Sequence, residues 1–193
     1  MSCDGIDARV CDEGGKIHLT LPLDREVLRD LRAGDACLLT GKLFTLRDAG
    51  HMRLLAEIDA SGDEGTLPYG LDGQAIFYAG PTPPSAGRPF GAIGPTTSSR
   101  MDFAAPRLYD AGVAATVGKG VRSAAVKEAC VRNGAVYFVT VGGAAAYLAK
   151  CVTAEHTLAY DDLGTEALRC IDVVDFPVFV GVDVAGADIY DMI

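Results

Sequence analysis

One apolar run constrains the fold of this chain more than any other part of its 193 residues. Residues 135–141 read Ala-Val-Tyr-Phe-Val-Thr-Val, without the alternation of apolar and polar positions that marks a strand with one solvated face. Gly142 and Gly143 follow, and an alanine-rich segment comes next. The pattern predicts a strand covered on both faces, then a turn and a short helix.

The rest of the chain repeats this order of strand, glycine-containing turn and helix. Apolar runs predict further strands at residues 16–23, 36–46 (either a strand pair or one strand bent around Gly41), 74–78, 114–117 and 157–160, and a hairpin at 178–190. Capping signals predict helices that start near residues 24, 48, 106 and 123, and a helical turn at 165–169. We therefore expect one α/β domain over residues 16–193, preceded by a flexible tail over residues 1–15.

Two of the predicted helices carry specific expectations. Asp48 is expected to cap the first and Ser123 the second, because each can accept a hydrogen bond from an unpaired N–H group. The side chains expected to be buried are Met52, Leu54 and Leu55 in the first and Val126, Cys130 and Val131 in the second.

Charge and cysteine content argue against several classes of protein. The net charge is −9 and the chain has no block of lysine or arginine, so we expect no nucleic-acid or anionic-membrane surface. The N-terminus lacks the apolar core of a signal peptide, and the longest uncharged run contains glycines, so we expect no membrane span and a cytoplasmic location. The six cysteines form no C-x-x-C pair, which favours free thiols over a metal site.

A segment rich in hydroxyl groups, residues 94–102, reads Gly-Pro-Thr-Thr-Ser-Ser-Arg-Met-Asp. Gly94 and Pro95 fix a turn, and the hydroxyl run is expected at a helix start, where unpaired N–H groups favour an anion. Arg100 adds a planar guanidinium that can hold a carboxylate or phosphate through two parallel hydrogen bonds. The residues alone leave a second interpretation open, in which the hydroxyls cap a helix and Arg100 is a surface charge.

Two other places present cations. Arg47 and His51 are four residues apart, so a helix would put them on one face, where Arg47 could clamp a substrate carboxylate. The alternative is an ion pair between Arg47 and Asp48 at a helix start, with a partly exposed His51. Lys119 lies between two glycines, which suits an ammonium group that projects from a tight turn toward an anion. Its spacing does not fit a Walker A loop, and an ordinary surface turn is the alternative.

Residues 94–102 resemble the signature Gly-Pro-Thr-Thr-Ser-x-Arg-Met-Asp of iron–sulfur-dependent hydro-lyases. These are the class I fumarase and L-tartrate dehydratase family, and the similarity is to the β subunit or C-terminal domain. Residues 45–51 resemble the family's Arg-Asp-x-x-His segment, although Leu46 replaces the usual Gly and Gly50 the usual Ala. Further family-like segments follow in order at residues 118–120, 141–145 and 161–167.

The resemblance implies a fold and an activity. The fold is a single swivelling-type domain of mixed β/β/α class, with a mixed sheet or partial barrel and flanking helices. The reaction is the reversible hydration or dehydration of a C4 dicarboxylate, either fumarate to L-malate or L-tartrate to oxaloacetate. A [4Fe-4S] cluster is expected on a partner α subunit and not on this chain, so activity is expected only in a hetero-oligomer, for which α2β2 is usual in the family.

The motif match also implies roles for individual residues. Thr96 aligns with the proposed base that removes the C3 proton of the substrate. The expected substrate ligands are Arg47, Thr97, Arg100 and Lys119, with Asp48 and His51 behind them. No metal ligand is expected in this chain. The alternative is a non-catalytic module that binds a dicarboxylate or phosphate without an α partner.

Overall fold

The computed structural model describes residues 14–61, 67–83 and 91–192. Its strands are β1 Ile17–Thr20, β2 Ala36–Thr45, β3 Ala75–Phe77, β4 Ala115–Gly118, β5 Val136–Val139, β6 Val152–Ala159 and β7 Leu168–Val182. They form one sheet in the order β1-β2-β3-β4-β5-β7-β6. Strands β1 to β5 run parallel to their neighbours, and β7 runs antiparallel to β2, β5 and β6.

The long strand β7 closes the sheet into a barrel. Its 15 residues are enough to pair with both β2 and β5. Cys37 and Thr45 of β2 lie opposite Val178 and Arg169, while Phe179 lies opposite β5. Strands β2, β3, β4, β5 and β7 therefore form a closed mixed barrel, to which β1 and β6 add at the sides. The expected mixed sheet with a barrel and flanking helices is confirmed.

Helices and interior side chains complete two apolar layers. The α-helices are α1 Arg25–Asp30, α2 Asp48–Ser61, α3 Ala105–Asp110, α4 Ala124–Asn133 and α5 Ala145–Leu148. Short 3-10 turns cover Pro68–Gly70, Ser98–Met101, Ala149–Cys151, Asp161–Glu166 and Ile189–Met192. Alternate strand residues pack in the barrel, among them Leu39, Phe77, Val117, Phe138 and Val178. Their neighbours pack under α2, α3 and α4, as the two covered faces of β5 predicted.

The bend predicted in β2 is confirmed. Gly41 has φ +126°, in the left-handed region that favours glycine, and the pairing with β7 shifts register between Leu39 and Gly41. A Cβ at this position would lie 2.7 Å from the carbonyl oxygen of Leu21. The bend lets one strand pair with β1 along its first half and with β3 at its end.

Several details differ from the sequence-based expectations. The strand expected at residues 157–160 is only the end of the longer β6. The helical turn expected at residues 165–169 lies earlier, as a 3-10 turn at Asp161–Glu166, and β7 begins at Leu168. Met52 and Val131 are 58% and 50% exposed, because each lies at the edge of its helical stripe and the barrel covers only the centre. The hairpin expected at 178–190 is reduced to one bridge, Val182 with Asp188.

Parts of the chain remain untested. Residues 1–13 of the expected tail lie outside the described residues, as do residues 62–66 and 84–90 of the expected loops. The boundary at residue 16 therefore stays a prediction. Within the described ranges, no helix is long and apolar enough to cross a membrane.

The topology places the candidate residues. Because β2, β3, β4 and β5 are parallel, their carboxyl ends meet at one edge of the barrel, which we call the carboxyl edge. Arg47 follows β2, Tyr78 follows β3, Lys119 follows β4 and Gly142 follows β5. Ligands of α/β folds bind at such an edge, so the fold brings distant segments to one candidate site.

Candidate functional site

The hydroxyl-rich segment, residues 94–102, lies across the carboxyl edge between β3 and β4. Pro95 forms a bridge with Ala79, and the Thr96 N–H donates to the carbonyl of Tyr78 at 2.8 Å. Thr97 forms a bridge with Lys119. Backbone pairing on both sides thus fixes where the two threonines stand.

The predicted helix start at this segment is wrong. The hydroxyl run leads into a four-residue 3-10 turn, Ser98–Met101, without a side-chain cap, and α3 begins only at Ala105. The N–H groups of Thr96 and Ser98 are already bonded to the carbonyls of Tyr78 and Lys119. Pairing with the barrel therefore uses two of the donors that were expected to bind an anion.

The turn at residues 118–120, here called the lysine turn, projects a cation over this edge. Gly120 has φ +84°, and a Cβ at Gly118 would collide with the hydroxyl of Ser98, so both glycines are required by geometry. The half-buried Lys119 side chain passes Gly142, where an added Cβ would lie 3.6 Å from Cδ. None of the described carboxylates forms an ion pair with Lys119, which leaves its ammonium group available to an anion.

Residues 45–51, here called the arginine corner, bring two further cations together. The Nε atom of Arg100 lies 2.9 Å from one carboxylate oxygen of Asp48, and Nη2 of Arg47 lies 3.9 Å from the other. Nη2 of Arg47 also lies 3.5 Å from Glu166. The structure thus places Arg47, Arg100 and Asp48 in one cluster, as expected, and adds a carboxylate that the sequence-based site did not include.

Glu166 takes the capping role that was predicted for Asp48. Helix α2 begins at Asp48 itself, and its first free N–H group, on Ala49, donates to Oε2 of Glu166 at 2.8 Å. The prediction failed because the cap comes from a residue 117 positions away. The only available signal was the family-like segment at residues 161–167, which contains Glu166 but does not reveal its partner.

His51 is fully buried, which contradicts the interpretation of a partly exposed side chain. Its Nδ1–H donates to the carbonyl of Arg47 at 2.8 Å, and its ring meets Tyr78 edge-on at 5.3 Å. Burial lowers the pKa of the imidazole to about 4, although the Arg47 carbonyl and the charge of Asp48 oppose this effect. His51 is therefore neutral at physiological pH and orients the backbone of Arg47.

Among the described residues, four of the six buried side-chain polar atoms that lack a hydrogen bond lie in the arginine corner. These atoms are Thr45 Oγ1, Arg47 Nε, Asp48 Oδ2 and His51 Nε2, and the two others are on Gln74 and Arg169. A buried polar atom without a partner costs about 1–3 kcal/mol, so such a cluster needs an explanation. The corner has the character of a site whose remaining hydrogen-bond partners come from elsewhere.

Arg122, which sequence reasoning missed, anchors the hydroxyl-rich segment from below. Its side chain is fully buried, its Nε donates to Asp102 at 2.7 Å, and its guanidinium lies 4.7 Å from the ring centre of Tyr137. The other oxygen of Asp102 accepts from the Ser123 N–H at 2.8 Å, which replaces the predicted Ser123 side-chain cap. The aspartate that ends the motif is thus structural.

The described residues lack a set of side chains suited to a metal cluster. The described cysteines are Cys37, Cys130, Cys151 and Cys170, and all are free. Burial raises the pKa of Cys37 to about 12 and that of Cys130 to about 11, so these thiols stay protonated. Within the described ranges, no three His, Cys, Asp or Glu side chains converge as metal ligands.

A cavity of about 410 Å³ lies at the opposite, amino edge of the barrel. Arg25 is its most buried cation, but its guanidinium donates to the carbonyls of Asn133 at 2.6 Å and Gly112 at 2.9 Å. Arg132 beside it is paired with Asp110. Because both arginines already bind groups of this chain, we do not consider this cavity the candidate site for an anionic ligand.

Comparisons with known proteins show which family this chain resembles. A family model described as "Fumarase C-terminus" matches residues 5–193. The anaerobic class I fumarate hydratase of Escherichia coli strain K12 is 37% identical over 186 residues, which cover 94% of this chain and 33% of that protein. Fumarate hydratase 2 of Leishmania major is 37% identical over 179 residues, or 91% of this chain and 31% of that protein.

For one shorter relative, the match covers most of the relative's own length. The L(+)-tartrate dehydratase subunit beta of Escherichia coli strain K12 is 36% identical over 173 residues, which cover 87% of this chain and 83% of the relative. In contrast, this chain spans about a third of the fumarate hydratases that it matches. The similarity therefore covers most of the L(+)-tartrate dehydratase subunit beta and about a third of each fumarate hydratase.

Proposed function

This chain belongs to the fumarase C-terminus family, and we propose that it is the β subunit of a hydro-lyase that hydrates or dehydrates a C4 dicarboxylate. The substrate would be fumarate and L-malate, or L-tartrate and oxaloacetate. The observation that carries the proposal is the convergence of Arg47, Arg100, Thr96 and Lys119 at the carboxyl edge.

Charge supports the binding of a dicarboxylate at this edge. This edge carries three cations, Arg47, Arg100 and Lys119, and two carboxylates, Asp48 and Glu166. These five groups sum to a net positive charge in a chain of net charge −9. The two guanidiniums can hold one carboxylate of the substrate through paired hydrogen bonds, and Lys119 can neutralise the other. Thr97, which is exposed beside Lys119, supplies a hydroxyl for orientation.

Thr96 is our candidate for the group that moves the proton at C3. Its backbone is fixed to Tyr78, and none of the described residues binds its hydroxyl. A threonine hydroxyl is a weak base in water, and it needs a dry site with nearby cations to stabilise the alkoxide. Arg100 and Lys119 belong to the same edge and supply that charge. The departing hydroxyl of the substrate belongs to the part of the site that this chain does not provide.

The cysteines of this chain bear on where an iron–sulfur cluster could be bound. The described cysteines are protonated and scattered, so they do not fit an iron–sulfur cluster. We place the [4Fe-4S] cluster of the resembled family on a partner α subunit, in a cytoplasmic hetero-oligomer of the α2β2 kind. The half-exposed side chains of Arg100 and Lys119 support this arrangement, because the carboxyl edge leaves both cations open to a partner and a substrate.

The test is reconstitution with an α-type partner under anaerobic conditions. We expect dehydratase activity on malate or L-tartrate, and we expect Thr96→Ala to lower kcat about a thousandfold, within the range for a positioned base. Ser99→Ala is the matched control, since Ser99 is an exposed hydroxyl in the same segment.

Size-exclusion chromatography must show that each variant still forms the complex. Full turnover by Thr96→Ala would disprove the role of Thr96. An inactive complex together with dicarboxylate binding by this chain alone would instead favour the non-catalytic module.

A further inference from the structure

We propose that Tyr137 is a positioning residue that holds the lysine turn, and so the ammonium group of Lys119, through Ser98 and Gly120. The inference rests on the proposed function for its kinetic consequence. It adds a buried strand residue that the motif match does not include. Tyr137 does not touch the substrate in this proposal and acts only through Lys119.

Every backbone polar group of Lys119 and Gly120 has a partner. The Lys119 N–H donates to the Ser98 hydroxyl at 2.9 Å, and the Lys119 carbonyl accepts from the Ser98 N–H at 2.9 Å. The Gly120 carbonyl accepts from the Tyr137 hydroxyl at 2.9 Å, and the Gly120 N–H donates to the Tyr190 hydroxyl at 3.1 Å. The turn is thus held from three separate segments of the chain.

The number of hydroxyl protons determines which group donates each hydrogen bond in this network. The Tyr137 hydroxyl lies 2.9 Å from both Ser98 Oγ and the Gly120 carbonyl, but it has one proton to donate. A carbonyl can only accept, so Tyr137 donates to Gly120 and accepts from the Ser98 hydroxyl. Ser98 in turn accepts from the Lys119 N–H. Removing the Tyr137 hydroxyl therefore leaves the Ser98 hydroxyl proton without an acceptor and the Gly120 carbonyl without a donor.

The tyrosine ring is a fixed support. It is 1% exposed, and Arg122 lies over its face with a distance of 4.7 Å to the ring centre. A Cβ at Gly181 would lie 3.0 Å from the ring, so β7 passes close against it. Burial also raises the pKa of Tyr137, so the hydroxyl remains a donor throughout the ordinary pH range. Such packing leaves the hydroxyl no alternative position.

The consequence concerns binding more than the chemical step. A lysine side chain is flexible, and a well-held backbone reduces the freedom that it must lose on binding. Loosening the turn should weaken the hold on the second carboxylate of the substrate without removing any group that transfers a proton. We therefore expect KM to rise while kcat changes little.

The experiment compares Tyr137→Phe with a matched control in the reconstituted complex. We expect Tyr137→Phe to raise KM for malate or L-tartrate about tenfold, with kcat within about twofold. Tyr109→Phe also removes a hydroxyl from a fully buried tyrosine, one that bonds Thr116 and not the turn. It should leave KM unchanged. Ser98→Ala should raise KM like Tyr137→Phe.

A double-mutant cycle separates positioning from general damage. In a Lys119→Ala background, Tyr137→Phe should have no further effect on KM, because the positioned group is gone. A full tenfold effect in that background would overturn the proposal, as would an equal rise in KM for Tyr109→Phe. If the wild-type complex is inactive, the proposed function fails instead. The cycle is then read from the binding of malate by calorimetry, where additive effects would again refute the role of Tyr137.

Discussion

The lysine turn and the arginine corner lie at the same edge of the barrel, yet they differ in how their polar groups are satisfied. Both backbone groups of Lys119 and of Gly120 are bonded within the chain. In the arginine corner, Arg47 and Asp48 form ion pairs, yet each retains a buried polar atom without a hydrogen bond. The backbone hydrogen bonds of the lysine turn are thus complete within this chain, whereas the side-chain hydrogen bonds of the arginine corner are not.

The difference indicates how the site is divided. A fully bonded turn is preorganised, so its cation can meet an anion without further ordering. Unpaired buried atoms are costly and persist where another group completes them. We infer that the lysine turn is set by this chain alone, whereas the arginine corner must rearrange or take up a further group to complete its hydrogen bonds. Three predictions test this division on the folded chain.

The largest effect is expected beneath the lysine turn, at Asp102. Asp102→Ala leaves the fully buried guanidinium of Arg122 without its charged partner, so the free energy of unfolding should fall by about 3–5 kcal/mol. Urea denaturation at neutral pH measures this loss. Asp110→Ala is the control, because its ion pair with Arg132 is half exposed and should contribute less than about 1 kcal/mol. Equal losses of unfolding free energy in the two variants would show that the buried Asp102–Arg122 pair stabilises the fold no more than an exposed ion pair does.

The second effect is a pH dependence in the arginine corner. Since burial lowers the pKa of His51 from 6.5 to about 4, the unfolded chain binds this proton more readily than the folded chain. The contribution of neutral His51 to the free energy of unfolding is therefore fully present above pH 6.5. It falls by about 3 kcal/mol as the pH decreases toward 4.

Denaturation of His51→Gln from pH 7 to pH 4 tests this pH dependence. The variant should lose less stability across that window than the wild type does. His156→Gln, at an exposed histidine, should follow the wild-type curve. Parallel curves for His51→Gln and wild type would mean that His51 is not neutral in the folded chain.

The smallest effect is expected at Glu166, the cap of α2. Glu166→Ala removes the acceptor for the Ala49 N–H and should lower the free energy of unfolding by about 1 kcal/mol. Glu166→Gln keeps an acceptor oxygen and should lose less than half as much. If both variants lose the same amount, the charge beside Arg47 matters and the cap does not.

Sequence patterns predicted much of this protein because they depend on local chemistry. The covered strand β5 and the bend at Gly41 follow from hydrophobic periodicity and backbone freedom. The motif at residues 94–102 and the cations Arg47 and Lys119 were also visible in the sequence. What the pattern could not supply was the partner of each group.

Only the tertiary structure decided those partners. Closure by β7 makes the barrel, and the parallel strands carry Arg47, Thr96 and Lys119 to one edge. The roles of Glu166 and Tyr137 depend on neighbours far away in the chain, for which spacing gives no signal. Local sequence determines which groups are present and where strands and helices form, because those depend on nearby residues. Long-range pairing decides which groups are satisfied, because a hydrogen bond depends on distance in space and not on separation in sequence.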